Sequence, residues 1–393
     1  MNTHALFAAT TLAALTTLAE PVTLTTTKSA GVSESLRQEG QAAIQSGLDW
    51  LVAQQNAGGH WSNEYFPALT ALPLWALAEG GTTHTAAIQK ARAYLLSCLN
   101  PDGTICREPP QASKGGGLCN YNTALCMVAL HALRDPDLVP AIQKARTAIA
   151  KSQHGGDDVY SGGMGYDAST GRPYADLSNS YLAFEAMRLT ESVEDLRKAG
   201  DPRADLNWEA ARKFVSRIQN LPGSNDQPWA QQPAPEDKGG FAYKPDSSMA
   251  GSVTNADGSV RFRSYGSMTY AGLLSLIYAE VGKEDPRVQS AYQWATANWS
   301  LDQNPGMGQQ GLYYFFNVLS KSMAAYGPDL ITLPGGQQVN WREELIRKLV
   351  SLKQTDTKTG RNFWVNSEGR WWESDPVLVT SYSVLALEMA LGR

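Results

Sequence analysis

The stretch YADLSNSYLAFEAM, residues 174–187, joins a cluster of polar side chains to an apolar segment with helical spacing. Asp176, Ser178, Asn179 and Ser180 stand together where that segment starts. Asp, Ser and Asn are favoured at helix N-caps, because their side-chain oxygens accept the unpaired N–H groups of a first helical turn. The stretch therefore predicts the start of a buried helix, and the rest of the chain must decide whether the polar cluster has a second use.

Five other segments repeat the apolar character of this helix. The six copies are TALPLWAL (70–77), TALCMVAL (123–130), SYLAFEAM (180–187), TYAGLLSL (269–276), FNVLSKSM (316–323) and TSYSVLAL (380–387). Five of them open with a hydroxyl residue, namely Thr70, Thr123, Ser180, Thr269 and Thr380. A small residue recurs six places later in every copy, and small residues at a fixed register let neighbouring helices approach closely.

A more amphipathic segment and a glycine-rich loop precede each apolar copy. These segments are SGLDWLVAQQ (46–55), ARAYLLSCLN (91–100), ARTAIAKSQH (145–154), ARKFVSRIQN (211–220), AYQWATANWS (291–300) and LIRKLVSLKQ (345–354). A helix that is apolar most of the way round must be buried, whereas its amphipathic partner faces water. The alternation predicts two concentric rings, an all-α (α/α)6 toroid that forms one domain over residues 40–393. The alternative is an open α-solenoid, which the unequal connections disfavour.

Composition agrees with a large globular domain. The 393 residues are 42% hydrophobic and 18% charged, which is enough apolar material for a sizeable core. The net charge is −5 and no Lys/Arg cluster occurs, so nucleic acid is excluded as a partner.

The chain begins with an apolar stretch, ALFAATTLAALTTLA, at residues 5–19. It is too short to span a bilayer and is typical of a secretory signal, although no Lys or Arg precedes it. Residues 1–30 are therefore predicted to be a signal peptide and leader, and the protein to be exported, periplasmic or secreted. A cytoplasmic protein with a disordered tail is the alternative.

The four cysteines, Cys98, Cys106, Cys119 and Cys126, fall in one short window. Their spacing matches no zinc ribbon or thioredoxin pattern. In an exported protein they predict one or two local disulfides, whereas in a cytosolic protein Cys98 and Cys126 would be small buried residues. A metal site is the least favoured interpretation.

A family resemblance emerges from the loops. QNAGGHW (55–61) fits the Gln-x-x-x-Gly-x-Trp repeat of squalene–hopene and oxidosqualene cyclases. Weaker matches to the same repeat are SGGMGY (161–166), KGGFAY (238–243) and GRNFW (360–364). The chain resembles the prenyltransferase/squalene-oxidase repeat superfamily over nearly its whole length. That resemblance implies a toroid whose apolar centre holds an isoprenoid.

The resemblance also locates the chemistry just before the apolar helices. The cyclases carry Asp-x-Asp-Asp-Thr there, whereas this chain has Asp176-Leu177-Ser178-Asn179-Ser180. A hydroxyl and an amide cannot protonate an alkene, so Asp176 alone remains as a candidate catalytic acid. The prenyltransferase zinc ligands, an Asp-x-Cys pair and a His before the helix Thr, are missing. The sequence therefore predicts neither metal nor other cofactor.

The resemblance implies that the remaining positions at these helix starts bind the ligand. They are Tyr121, Asn122, Ser178, Asn179, Tyr265, Tyr314 and, one place further out, Asp375. The expected ligand is an apolar or isoprenoid-like small molecule, and peripheral membrane contact is left open. If the protein is an enzyme, it is expected to be terpene cyclase- or isomerase-like.

Two other functions stay open. One is a non-catalytic exported binding or scaffold protein on the same fold. The other is a glycan-active toroid that uses Asp157, Asp158 or Asp375 together with exposed Trp residues, because glycosidases need two carboxyl groups at a defined separation. The loop 154–167 is either a solvated loop or an acid or metal cluster. The long connection 219–268, with a hairpin turn at 255–259, is either a cover for one mouth of the ring or a surface decoration.

Overall fold

The computed structural model describes residues 31–81, 84–109, 118–166 and 174–393. The predicted signal peptide and leader, residues 1–30, lie outside the described residues. Within the described ranges the chain forms twelve α-helices, joined by 3₁₀ turns and three short antiparallel hairpins.

The helices alternate between an outer and an inner layer. The outer helices are α1 (Glu34–Ala53), α3 (Thr85–Ser97), α5 (Val139–Ser152), α7 (Trp208–Ser216), α9 (Pro286–Ala297) and α11 (Trp341–Leu352). The inner helices are α2 (Ala68–Glu79), α4 (Cys119–Ala132), α6 (Leu177–Leu189), α8 (Gly266–Tyr278), α10 (Leu312–Tyr326) and α12 (Pro376–Ala390). The hairpins pair β1 (Ser252–Thr254) with β2 (Val260–Phe262), β3 (Leu330–Thr332) with β4 (Gln338–Asn340), and β5 (Gln354–Thr355) with β6 (Asn362–Phe363).

The inner helices close into a ring. Each packs against the next in the order α2, α4, α6, α8, α10 and α12, and α12 packs against α2. Every residue of α8 is buried, whereas α11 buries one face only. The difference follows from composition, because a helix without a polar face must be covered on all sides. The predicted (α/α)6 toroid is therefore confirmed.

The recurring hydroxyl residues, which lie three to five residues into five inner helices, hold the preceding loops. Each hydroxyl accepts the backbone N–H of a loop residue: Trp61 to Thr70 (3.1 Å), Ile105 to Thr123 (2.9 Å), Met164 to Ser180 (2.9 Å), Phe241 to Thr269 (3.1 Å) and Trp364 to Thr380 (3.0 Å). All five hydroxyl residues are buried. A buried N–H without an acceptor is costly, so this bond explains why the hydroxyl recurs.

The Gln and Gly of the loop motif are also structural. The Gln55 amide donates to the Gly59 and Ala87 carbonyls, which ties the loop to the next outer helix. Gln153 and Gln219 make the equivalent pair of bonds in their own repeats. At Gly59, where φ is +88°, a Cβ atom would lie 2.4 Å from the Lys90 carbonyl oxygen. Gln354 differs, because it lies in the exposed strand β5.

One disulfide fixes the start of an inner helix. It joins Cys106 to Cys119, the first residue of α4. Cys98 and Cys126 are buried thiols. The window thus contains one bridge and two small core residues.

Candidate functional site

The six inner helices begin at one end of the ring, here called the N-terminal mouth. Three side chains at this mouth cap the start of an inner helix that belongs to a neighbouring part of the ring. Asn122 of α4 accepts the Ala68 N–H of α2 (2.9 Å), and Asn304 accepts the Ser267 N–H of α8 (2.9 Å). The Glu373 carboxylate accepts the Tyr314 N–H of α10 (2.7 Å). Because helix N-termini leave unpaired N–H groups, these caps bind neighbouring segments of the ring together.

Asp176 and Asp375 cap their own helices. The Asp176 carboxylate accepts both the backbone N–H of Asn179 (2.9 Å) and its side-chain amide (2.8 Å). Asp375 accepts the Val377 N–H (2.9 Å). Two of the predicted site residues therefore have a structural role, whatever else they do.

Asp176 is an unusual cap because it is fully buried. Burial raises the pKa of its carboxyl to about 6, although the Asn179 N–H groups and the Tyr243 hydroxyl favour the charged form. Three tyrosines, Tyr166, Tyr174 and Tyr243, surround it, and the Tyr166 and Tyr243 hydroxyls lie 3.3 Å apart. Burial and the nearby carboxylate raise the pKa of Tyr166 and of Tyr174 to about 12, so both phenols stay protonated at neutral pH.

Further into the ring, four side chains meet across the lumen. The Tyr121 and Tyr382 hydroxyls lie 3.3 Å apart, and the Ser178 and Tyr314 hydroxyls 3.1 Å apart. The helices of each pair are separated by another inner helix on the ring, so both contacts cross its interior. Tyr121, Ser178 and Tyr314 are half-buried. We call these four residues the tyrosine layer; it bridges the lumen, and its three half-buried members lie in the first turns of α4, α6 and α10, near the N-terminal mouth.

The other predicted ligand contacts lie deeper. Tyr265 and Asn179 are buried, with 2% and 3% of their surfaces exposed. Tyr265 precedes the first turn of α8, and Asn179 is engaged by Asp176. The structure thus brings Tyr121, Ser178 and Tyr314 together at the accessible surface of the site and places Asn179 and Tyr265 behind them.

Aromatic side chains form the rim of the N-terminal mouth. Trp371 and Trp372 are exposed, and the Trp372 ring meets Phe66 edge-on at 4.7 Å between centroids. The long connection 219–268 reaches this end as well, because the Tyr243 carbonyl accepts the Leu177 N–H at the start of α6. Its hairpin, β1–β2, has the expected turn at 255–259 and is largely exposed. One part of the connection thus borders the mouth, and the other decorates the surface.

A second layer crosses the lumen nearer the C-terminal ends of the inner helices. The Lys321 ammonium lies 3.1 Å from Glu185, 3.3 Å from the Tyr181 hydroxyl and 4.3 Å above the Trp75 ring. The Tyr278 hydroxyl donates to the other Glu185 oxygen (3.2 Å). We call these residues the ion layer. A cavity of about 370 Å³ lies beside it, lined by residues from all six inner helices.

The ion layer was not predicted from the sequence. The feature that could have indicated it is a charged residue inside an otherwise apolar segment, Glu185 in SYLAFEAM and Lys321 in FNVLSKSM. Charged residues are almost never fully buried unless they are paired, so two such residues on buried helices predict a partnership. Which helices the pair would connect could not be known before the ring order.

The acidic loop does not form a cluster with these groups. His154 and Asp158 pair with each other (2.8 Å), and Asp158 also accepts the Tyr160 N–H. Asp157 is exposed, and Asp167 lies outside the described residues.

Among the residues that the structure describes, no group of three His, Cys, Asp or Glu side chains could hold a metal ion. No helix in these ranges is long and apolar enough to cross a membrane.

Comparison with solved structures identifies similar folds. The type II terpene cyclase MstE from Scytonema, in complex with geranylgeranyl dihydroxybenzoate, matches with a TM-score of 0.50 and 12% identity over 91% of this chain and 99% of that chain. An inactive variant of the α-1,6-mannanase GH76A of Salegentibacter sp. HEL1_6, in complex with α-1,6-mannotriose, matches with a TM-score of 0.53 and 15% identity over 91% and 99%. Candida albicans protein geranylgeranyltransferase-I complexed with GGPP has a TM-score of 0.49 and 13% identity over 88% and 90%.

No protein-family model and no curated protein matches the chain. The terpene cyclase and the mannanase share the fold of this chain, which confirms, at the level of the fold, the resemblance predicted from the repeats. Identities of 15% or less carry no information about the ligand of this chain.

Proposed function

We propose that this protein binds a small ligand with an apolar, isoprenoid-like portion at the N-terminal mouth, against the tyrosine layer. The observation that carries the proposal is the convergence of half-buried Tyr121, Ser178 and Tyr314 from three different inner helices. Binding sites commonly combine apolar walls with a few convergent polar groups, and phenol rings with paired hydroxyls supply both.

The two layers support a position for such a ligand at the N-terminal mouth. Because the tyrosine layer and the ion layer both bridge the lumen, a long apolar chain cannot thread the ring without displacing them. The cavity beside the ion layer suits an apolar ligand poorly, since its wall includes Glu185, Lys321 and Arg342. The N-terminal mouth, with Phe66 and Trp372 at its rim, offers the aromatic surface that an isoprenoid needs.

We further propose that binding proceeds without cyclase-type proton transfer. Ser178 occupies the position where the cyclases carry their central acid, and its hydroxyl meets Tyr314. Asp176 is fully buried and both of its carboxylate oxygens accept hydrogen bonds from Asn179, so it is poorly placed to reach and protonate an alkene. A glycosidase reaction is disfavoured on similar grounds, because Asp176, Glu373 and Asp375 each cap a helix.

Binding is tested by titrating geraniol and farnesol while following tryptophan fluorescence. We expect saturable binding to the wild type and at least tenfold weaker binding to Tyr314→Ala. Tyr292→Ala is the matched control, because Tyr292 is a half-buried tyrosine that stacks on Tyr326 away from the ring interior. Equal affinities in all three proteins would overturn the proposal.

Catalysis is tested separately by incubating the protein with squalene and shorter polyprenyl substrates. We expect no cyclised product. A product that forms with the wild type and is lost in Asp176→Asn would instead establish Asp176 as the catalytic acid.

A further inference from the structure

Two successive tryptophans at the rim have an unusual backbone. Trp371 and Trp372 have φ values of 55° and 69°, and 43% and 44% of their surfaces are exposed. Bulky residues rarely adopt the left-handed region, and strain of this kind concentrates at ligand sites. The packing gained in return is limited, because the Trp372 ring meets Phe66 only edge-on and both tryptophans stay exposed.

The surrounding structure holds this segment in place. The Glu373 carboxylate binds the Tyr314 N–H of α10 (2.7 Å) and the Asn366 amide (2.6 Å). The Trp372 carbonyl accepts the Asp375 N–H at the start of α12 (2.8 Å). The backbone of this segment is therefore tied to the starts of α10 and α12, the helices that contribute Tyr314 and Tyr382 to the tyrosine layer.

We propose that Trp371 and Trp372 stack against a neutral sugar ring, so that the ligand of this protein is an isoprenoid glycoside. This inference deepens the proposed function and rests on it for the isoprenoid part alone. The apolar C–H face of a pyranose fits an exposed indole ring, and its hydroxyls can meet the exposed Arg370 and the half-buried Gln310, whose side chains pair at the same rim.

The charges at the rim disfavour other occupants. The Arg370 guanidinium already lies 4.3 Å from the centre of the Trp371 ring, so an organic cation would be repelled there. An anionic membrane surface is disfavoured by the exposed Glu368 and by the net charge of −5. A neutral ring with hydroxyl groups meets neither obstacle.

The experiment compares three probes by calorimetric titration: geraniol, methyl β-D-glucoside and geranyl β-D-glucoside. We expect the wild type to bind geranyl glucoside at least tenfold more tightly than geraniol. Trp372→Asn should abolish that advantage, so that the variant binds geranyl glucoside and geraniol with equal affinity; both affinities are expected to fall, because Trp372 also borders the isoprenoid site. Because Asn tolerates positive φ, the thermal unfolding temperature of this variant should stay the same or rise.

The control is Leu330→Asn, which removes an even more exposed apolar side chain (54%) from the hairpin that follows the far end of α10. It should change neither affinity. Equal binding of geraniol and geranyl glucoside by the wild type, or a Trp372→Asn protein that unfolds earlier and keeps the glycoside preference, would overturn the sugar contact. Glycoside binding that depends on Trp372 while geraniol fails to bind would overturn the proposed function and leave the sugar contact standing.

Discussion

The two layers that bridge the lumen solve the same packing problem with different chemistry. The tyrosine layer uses neutral hydroxyl pairs in which three of the four side chains are half-buried, whereas the ion layer uses a buried Lys321–Glu185 pair with 5% and 1% of the two residues exposed. Neutral hydroxyls can exchange one partner for another at little cost, but an unpaired buried charge is very costly. The comparison indicates that the tyrosine layer can open for a ligand and that the ion layer fixes the arrangement of the helices.

The largest expected effect is at the ion layer. Lys321→Met leaves Glu185 buried without its counter-charge, so we expect the free energy of unfolding to fall by about 4 kcal/mol. Urea denaturation measures the change, and the double variant Lys321→Met/Glu185→Leu should recover more than half of it. Lys348→Met, which removes a surface pair with exposed Asp302, is the control and should stay within about 0.5 kcal/mol of wild type. A loss no larger than that of the control would show that the ion layer does not stabilise the ring.

The second prediction concerns the pH dependence of stability at the N-terminal mouth. The folded state raises the pKa of Asp176 from 3.8 to about 6, so the folded protein holds the proton more tightly than the unfolded chain does. The contribution of this group to stability is therefore fully present below pH 4 and is lost as the pH rises through 6, by about 3 kcal/mol in all. Asn also caps helices, so Asp176→Asn should lack this pH dependence.

Urea unfolding of both proteins between pH 4 and pH 8 tests this expectation. The difference in unfolding free energy between wild type and Asp176→Asn should shift in favour of the variant as the pH rises. A difference that is constant across the range would mean that burial does not perturb the carboxyl.

The third prediction concerns the recurring hydroxyl residues of the inner helices, which accept the loop N–H groups. Thr269→Val removes the acceptor of the buried Phe241 N–H, and we expect a loss of about 2 kcal/mol in unfolding free energy. Thr296→Val is the matched control, because the Thr296 hydroxyl only donates to carbonyls of its own helix, α9. If the two variants lose equal stability, the loop N–H does not depend on the inner-helix hydroxyl.

The smallest expected effect is at the tyrosine layer itself. Tyr314→Phe keeps the ring and removes the hydroxyl that meets Ser178, so we expect stability to fall by only about 1 kcal/mol. A double-mutant cycle with Ser178→Ala measures the coupling, which should be of the same size. A loss comparable to that of Lys321→Met would contradict the distinction between an adaptable layer and a fixed one.

The local sequence pattern was enough to predict the helices from which this molecule is built. The recurrence of an opening Thr or Ser and of a later small residue identified the inner helices, because a buried helix must satisfy its loop N–H groups and pack closely wherever it occurs. Asp176 was likewise recognisable as a helix cap, since capping is decided within one turn. One or two disulfides were expected, but their pairing required the fold, which joins Cys106 to Cys119.

The tertiary structure alone decided which side chains meet across the ring. Glu373 is distant in sequence from the helix that it caps, and Lys321 meets Glu185 only because six helix pairs close on themselves. Helical periodicity states which face of a helix is buried, and it carries no information about the residue that comes to lie opposite. The sequence by itself therefore determined the double ring and the place where its inner helices start, whereas the closure of the ring decided which side chains bridge its centre and left the tyrosines, rather than an acid, facing the open mouth.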